Sequence, residues 1–431
     1  MKNSQPMNRQ EGMVQPSILI LGTRGVPAAH GGFETFAERL SLHLRDQGWN
    51  VGVYCQEEVD EVETRVESQS WNGIERIVVK VAARGPLATV LFDWYCVRDA
   101  ARRNAVCLVL GYNGAAFLPY LRLWRKRVIT NMDGIEWRRA KWGPLVKTWF
   151  WVNEWIAAWT SNRLVADHPA IADHLASRRS RDAIATIPYG GEMVLEASTD
   201  PLGQLGLEAG QYLVSIARIE PDNNILTLVS AFSRCRRGMK LVVLGNMDPD
   251  IAYHRAVRDA ASDDVVFPGG IYDPAVVKAL RFHARAYLHG HSVGGTNPSL
   301  VEALGAGSAV IAHDNPFNRW TAGKAGVFFH DVDSCAAAID TIAGSPLSAE
   351  EVRNIAYAEA SRFRWQDVFV AYRRELYGVL LEGPFAPLRD RRRQQASTSA
   401  IPAQVSIVAI DVDRRAKPSA AASQWGGGAE E

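Results

Sequence analysis

Residues 17–44, SILILGTRGVPAAHGGFETFAERLSLHL, read as a buried strand over 18–22, a loop carrying Gly22, Gly25, Gly31 and Gly32, and an amphipathic helix. Glycines between a first strand and a first helix let backbone N–H groups approach an anion at the helix N-terminus. A dinucleotide-binding loop is the alternative. That loop needs GxGxxG in a tight turn, whereas Gly22-x-x-Gly25 is followed by Gly31-Gly32 only six residues on, and Glu57 is a poor ribose acid. The oxidoreductase reading is set aside on that missing fingerprint.

Outward from this unit, short β-branched apolar runs recur at 50–55, 76–82, 106–112, 127–132, 163–167 and 184–188, most of them separated by helix-length segments. Continuous apolar runs suit strands buried on both faces of a parallel sheet. From 212 the series restarts with YLVSIAR, KLVVLG (240–245), VVFPGG (265–270), AYLHG (286–290), AVIAHD (309–314) and GVFFH (326–330). The fold class is therefore α/β, with two Rossmann-like domains facing a central cleft where ligands bind at the carboxyl ends of strands. The expected boundaries are a disordered N-terminus (1–16), a first domain (17–195), a linker (196–210), a second domain (211–364), a C-terminal helical segment (365–382) and a mostly disordered tail (383–431).

Composition narrows the function classes. The 431 residues are 47% apolar and 22% charged with a net charge of +1, which fits a globular chain and excludes bulk electrostatic nucleic-acid binding. Five cysteines at 55, 96, 107, 235 and 335 form no CxxC, so neither a disulfide framework nor a zinc knuckle is expected, and a reduced cytoplasm fits. The apolar run 17–21 is too short for a signal-peptide core. Leu145–Trp159 carries Lys147 and Glu154 and falls short of the ~20 apolar residues of a spanning helix.

Four long segments carry a resemblance: GTRGVPAAHGGFETFAERL, NMDGIEWRRAKW, ARIEPDNNI and HSVGGTNPSLVEALGAGSAVIAHDNPFNRW. Over about residues 17–380 the chain resembles the retaining glycosyltransferases of family 4, and within them the bacterial rhamnosyltransferase-like subgroup that builds capsular and lipid-linked polysaccharides. The resemblance implies a GT-B fold that binds a nucleotide-sugar mainly through its C-terminal domain. Arg218 matches the Arg of the family's R-x-x-P-x-K-N motif, and 295–307 matches its G-F-G-L-x-x-x-E-A-x-A-x-G segment. Gly245, Phe267 and Gly269 fall where the family places its base-binding strand and loop.

Two departures stand out. The family's Glu eight residues before Glu302 is Gly294 here, which removes a carboxylate pictured as touching the donor sugar. Its diphosphate-binding Lys is Asn223, which keeps hydrogen bonds and gives up a charge. Arg24 in the first loop is a candidate second cation from the opposite domain, against a merely solvated loop Arg.

The expected donor site thus comprises Arg24, Gly31, Gly32, Gly245, Phe267, Gly269, His291, Gly295, Thr296, Asn297, Ser299, Leu300 and Glu302. Arg218, Asn223 and Asp133 are the catalytic candidates. Arg218, Asn223 and helix N-termini would stabilise charge on the leaving diphosphate without metal. The leaving phosphate itself would take the acceptor proton, so no dedicated base is needed. Glu302 reads as a ribose ligand just inside a helix start, or as a favourable charge in a first helical turn. His291 lines the donor pocket or is a buried hydrogen-bonded histidine. Asp133, Glu136 and Arg138 face the cleft on the acceptor side, with an Asp-Gly turn as the plain alternative for Asp133. The Asp-x-Asp pairs at 248/250, 331/333 and 411/413 read as turns, a cap and a tail rather than metal sites, so no cofactor is expected.

Residues 120–163 interleave Arg122, Arg125, Lys126, Arg127, Arg138, Arg139, Lys141 and Lys147 with seven tryptophans. That mixture favours a bilayer headgroup layer, while Trp155 and Trp159, four apart, read as core residues. The functional expectation is a cytoplasmic, membrane-peripheral transferase. It moves a hexosyl group, L-rhamnose from dTDP-rhamnose, to a polyprenyl-diphosphate-linked sugar, without nucleic acid. Another nucleotide-sugar donor, a sugar-nucleotide epimerase and a non-catalytic scaffold are the alternatives.

Overall fold

The computed structural model describes residues 15–29, 31–61, 65–139 and 141–382. The expected tail (383–431) and residues 1–14 lie outside these. The first lobe runs β1 (Ser17–Leu21), α1 (Gly32–Asp46), β2 (Asn50–Glu58), β3 (Val66–Trp71), β4 (Ile74–Val81), α2 (Pro86–Ala100), β5 (Val106–Leu110), α3 (Leu118–Leu123), β6 (Val128–Asn131), α4 (Pro144–Thr160), β7 (Arg163–Ala166), α5 (Pro169–Leu175) and β8 (Ile184–Thr186). The second runs α6 (Asp200–Gln204), β9 (Tyr212–Ile216), α7 (Ile225–Ser233), β10 (Lys240–Leu244), α8 (Ala252–Asp259), β11 (Val265–Gly269), α9 (Pro274–Phe282), β12 (Ala286–His289), α10 (Pro298–Gly305), β13 (Ala309–His313), α11 (Pro316–Ala322), β14 (Gly326–Phe329), α12 (Val332–Ala343) and α13 (Ala349–Ala360), and α14 (Trp365–Leu381) follows.

The first sheet has the order β3-β4-β2-β1-β5-β6-β7-β8 and the second β11-β10-β9-β12-β13-β14. All pairs are parallel except β3 with β4. Strand order reverses between β1 and β5 in one sheet and between β9 and β12 in the other. Those two crevices are where such sheets take ligands. The apolar runs became strands because both faces of β1, β5, β7 and β12 are covered.

Three features depart from the expectation. β3, VESQSW, is an unanticipated edge strand. It hairpins with β4 through Asn72 (φ 46°) and Gly73 (φ 75°), the two-residue turn that needs positive φ twice. The stretch expected as linker (196–210) instead contributes α6, and Leu202 and Leu207 are buried in the second lobe's core. Trp159 is 70% exposed rather than core, because α4 is partly inverted, burying two polar residues beside Phe150, Ala157 and Ala158. Its outward stripe is Leu145, Trp149, Val152 and Trp159, while Asn153 and Glu154 are buried.

The inverted α4 is tolerated because its inward polar groups are matched. Glu154 accepts hydrogen bonds from Trp137 Nε1 (2.9 Å) and Arg178 Nε (2.8 Å) and meets His174 Nε2 at 3.0 Å. Burial opposes its charge, but these partners prevail and hold the carboxyl below its ordinary range. The last helix, α14, returns to the first lobe. Tyr372 stacks near Phe36 (4.8 Å between centroids) and accepts from Asn131 Nδ2 (2.8 Å).

Candidate functional site

In the second lobe the crevice between β9 and β12 is flanked by Arg218, just past β9, and by residues 290–297, just past β12. The Arg218 side chain is 71% exposed and pairs with Glu220 Oε1 at 3.2 Å. Asn223 is buried and donates Nδ2 to the Arg218 carbonyl (2.8 Å). Its amide therefore shapes the Arg218 turn. His291 stacks on His289 at 4.3 Å, and its carbonyl accepts from Asn315 and Asn318. Burial, then the charges of Arg218 and Arg139, push its ring down to about 3, so it is neutral.

The first lobe closes on this crevice from β6 and β7. The Asp133–Gly134 turn, with Asp133 at φ 52°, packs against the second lobe so closely that a Cβ on Gly134 would lie 3.3 Å from Gly294 Cα. Burial, reinforced by Glu136 and opposed by Arg139, pushes Asp133 up to about 6. Glu136 holds Arg139 at 2.7 Å, and Lys141 reaches Glu220 across the cleft at 3.4 Å. Arg138 is exposed beside the Trp137 ring.

Asp167, just past β7, was not anticipated. Its Oδ2 accepts the Thr296 N–H at 2.9 Å, and the Thr296 hydroxyl donates to its carbonyl oxygen. Burial, with Asp133's charge added, holds its carboxyl far above the usual range. A lone Asp before His-Pro carries no local signal, since its partners are 129 residues away.

Several other expected donor contacts have structural duties. The Leu300 side chain is fully buried in the second lobe's core. Asn297 caps α10 by accepting from Ser299 N (3.1 Å), and Ser299 Oγ lies 2.6 Å from Tyr287 Oη. Glu302 falls in the second turn of α10 rather than at its start, and is paired with Arg281 Nη2 at 2.7 Å. Gly295 and Thr296 face Asp167. Gly245 leaves no room for a side chain, since a Cβ would lie 2.4 Å from the Ala217 carbonyl oxygen. Gly269 (φ 84°) accepts from Gly245 N, and Phe267 lies under Arg258 on β11.

Arg24, Gly31 and Gly32 line a separate cavity of about 440 Å³ at the β1/β5 crevice of the first lobe. Phe33, Phe92, Thr23, Gln56, Thr89, Asp93 and Asn113 also face it. Burial pushes Asp93 up to about 7. The first-lobe cation that acts on His291 is Arg139. Gly32 also touches the second lobe, since a Cβ there would lie 3.0 Å from Pro298. Asp331 caps α12 and Asp248 accepts from Asp250 N, as a cap and a turn. Among the described residues no group of three His, Cys, Asp or Glu side chains is placed to share a metal ion.

Comparison with known proteins divides the chain at the same place. Residues 15–192 match a domain of unknown function (DUF1972), and residues 204–359 match the family Glycosyl transferases group 1. No curated protein matches. Sucrose-phosphate synthase from Thermosynechococcus elongatus superposes with a TM-score of 0.67 at 19% identity, covering 85% of this chain and 99% of that one. A UDP-forming trehalose-phosphate synthase from Burkholderia xenovorans gives 0.66 at 11% identity over 86% and 100%. Anabaena HepE in complex with UDP gives 0.63 at 14% identity over 84% and 100%. The fold is GT-B, and the second lobe carries a glycosyltransferase domain.

Proposed function

From a glycosyltransferase domain on a GT-B fold we propose a retaining, metal-independent hexosyltransferase that moves L-rhamnose from dTDP-rhamnose to a polyprenyl-diphosphate-linked sugar in surface polysaccharide assembly. The observation that carries the reading is Arg218. It stands at the strand-order reversal of the second sheet with its forked, always charged guanidinium exposed and held by a single carboxylate. Such a group grips a diphosphate more strongly as its charge develops. Arg139 adds a second cation from the other lobe. The acceptor sugar takes the first-lobe cavity, where Asp93, Asn113 and Gln56 offer hydrogen bonds to hydroxyls and Phe33 and Phe92 offer apolar faces. On one face of the donor, the acceptor oxygen replaces the diphosphate, which carries off the acceptor proton.

A lipid-linked acceptor asks for a membrane surface. Supporting one are the outward stripe of α4 with Leu123 and Trp124 at the end of α3, all exposed and apolar. Among the described residues no helix is long and apolar enough to cross a bilayer, and interfacial Trp and Leu side chains suit peripheral docking. Lys126 and Arg127, expected as headgroup ligands, donate to the carbonyls of Arg103 and Glu382. Docking therefore rests on the apolar stripe.

The test is a set of thermal melts with dTDP and UDP alongside donor hydrolysis over a panel of nucleotide-sugars. A parent protein whose melting temperature responds to neither nucleotide refutes the reading. Arg218→Ala should lose ~10²–10³ in turnover, the cost of one electrostatic donor, with stability within ~0.5 kcal/mol because the side chain is exposed. Parental turnover in that variant would remove Arg218 from the mechanism.

A further inference from the structure

We propose that Asp167 reads the transferred sugar, its unused carboxyl oxygen hydrogen-bonding a hydroxyl of the hexose whose diphosphate lies at Arg218. The inference rests on the transferase reading above and assigns a first-lobe residue to the donor, which that reading leaves to the second lobe and Arg139.

One oxygen of this carboxyl is accounted for and the other is not. Oδ2 accepts the Thr296 N–H, whereas Oδ1 is closed off from solvent and has no hydrogen-bond partner among the described residues. A buried carboxyl oxygen without a donor is costly, and a ligand that brings one recovers that cost. His291, at the start of the same loop, has a second unmatched buried atom, Nδ1.

The turn is shaped for this arrangement. A Cβ on Gly295 would lie 2.0–2.4 Å from the Asp167 carboxyl, so only glycine admits the acid there. Gly294 differs: φ is +128°, and nothing lies within 4 Å of where its Cβ would stand. The side-chain direction of Gly294 is therefore open, on the residue next to the glycine that Asp167 packs against.

Charge selects the ligand class. Asp133 and Asp167 meet at this turn, where burial favours the neutral form of both carboxyls. Arg218 and Arg139 both act on His291, which precedes the turn by three residues. Acids at one end and cations at the other match a neutral polyol attached to a diphosphate. A purely anionic ligand would leave the carboxyls unused, and a purely neutral one would leave the cations unused.

The competing explanation is that Asp167 only ties the lobes together. Asp167→Ala and Asp167→Asn in the full chain separate the two. The amide still accepts the Thr296 N–H but presents only donors where Oδ1 stood. Binding of dTDP and UDP, which lack the sugar, is measured by calorimetry, and hydrolysis of dTDP-rhamnose and UDP-glucose gives turnover and KM. Nucleoside diphosphate affinity is expected to stay within ~2-fold, while donor turnover or KM worsens ~10-fold or more in Asp167→Ala, the scale of one hydrogen bond to a buried acid. Asp167→Asn should show a smaller loss and an altered preference between the two donors. Equal weakening of nucleotides and nucleotide-sugars overturns the proposal in favour of a tie between lobes. Parental turnover and donor preference in both variants overturn it outright. A parent that binds neither nucleotide overturns the transferase reading itself.

Discussion

Replacing Trp149 and Trp159 together by Ser should release the protein from vesicles while leaving it folded. The two side chains are 42% and 70% exposed. Taking ~200 Å² for each indole side chain, the pair offers ~220 Å² of accessible surface. Full transfer from water at ~25 cal/mol/Å² is worth ~5–6 kcal/mol. An interfacial helix sinks only its outer face, so about half of that applies, a loss of ~10²-fold in the partition coefficient. Trp159 also meets Trp155 edge-on at 6.2 Å, so stability should fall by no more than ~1 kcal/mol. Co-sedimentation with phosphatidylserine-containing and phosphatidylcholine vesicles, with melts alongside, reads both quantities. A double variant that sediments like its parent refutes the docking face. One that unfolds shows that the tryptophans serve the core after all.

Glu154→Ala should cost ~3–5 kcal/mol, since it strands Arg178 and the Trp137 indole in a buried setting. Because the Glu154 carboxyl is depressed below its unfolded value near ~4.3, its contribution is present above that pH and vanishes as pH falls through the folded value. Melts from pH 7 to 3 should therefore show the parent and variant converging in acid. Thr89→Trp, which fills the first-lobe cavity, should abolish transfer to sugar acceptors yet leave nucleotide-induced stabilisation unchanged; transfer at the parental rate would place the acceptor elsewhere. Asp93 is raised to about 7 by burial, so the folded chain keeps a proton that the unfolded chain releases above ~3.9. Its contribution falls as pH rises between those values, and Asp93→Asn should flatten that decline in melts from pH 4 to 8, with an unaltered slope counting against a desolvated carboxyl.

Where the sequence carried its meaning locally, it was legible. Runs such as VCLVL and AYLH could be only buried strands, and Arg218 could be placed because β9 ends two residues before it. β3 was missed because VESQSW lies half-exposed at an edge and lacks an apolar run, although Asn72-Gly73 marks its hairpin. The register of α4 was misread for another reason. Trp155 and Trp159 share a face, but periodicity gives a stripe without saying which stripe points inward. That choice was made by Glu154, whose partners Trp137, His174 and Arg178 come from other segments. Leu300 sits in a ligand-like stretch of sequence, yet its position on α10 points it into the core.

The two motif departures show most plainly what a linear reading omits. Gly294 and Asn223 look like losses when each is compared only with its own segment. In the fold, Asp167 and Asp133 stand at the turn that Gly294 opens, and Arg139 joins Arg218 in acting on His291. All three come from the first lobe, from the ends of β6 and β7 and the loop between. A site completed across a cleft has a consequence that one built in a single lobe lacks. On the proposed donor reading, the second lobe alone would offer Arg218 to the diphosphate and no carboxyl to the sugar, so full recognition would need both lobes. Glycine at 295 is a requirement of this contact between the lobes, because any side chain there would hold Asp167 away from Thr296.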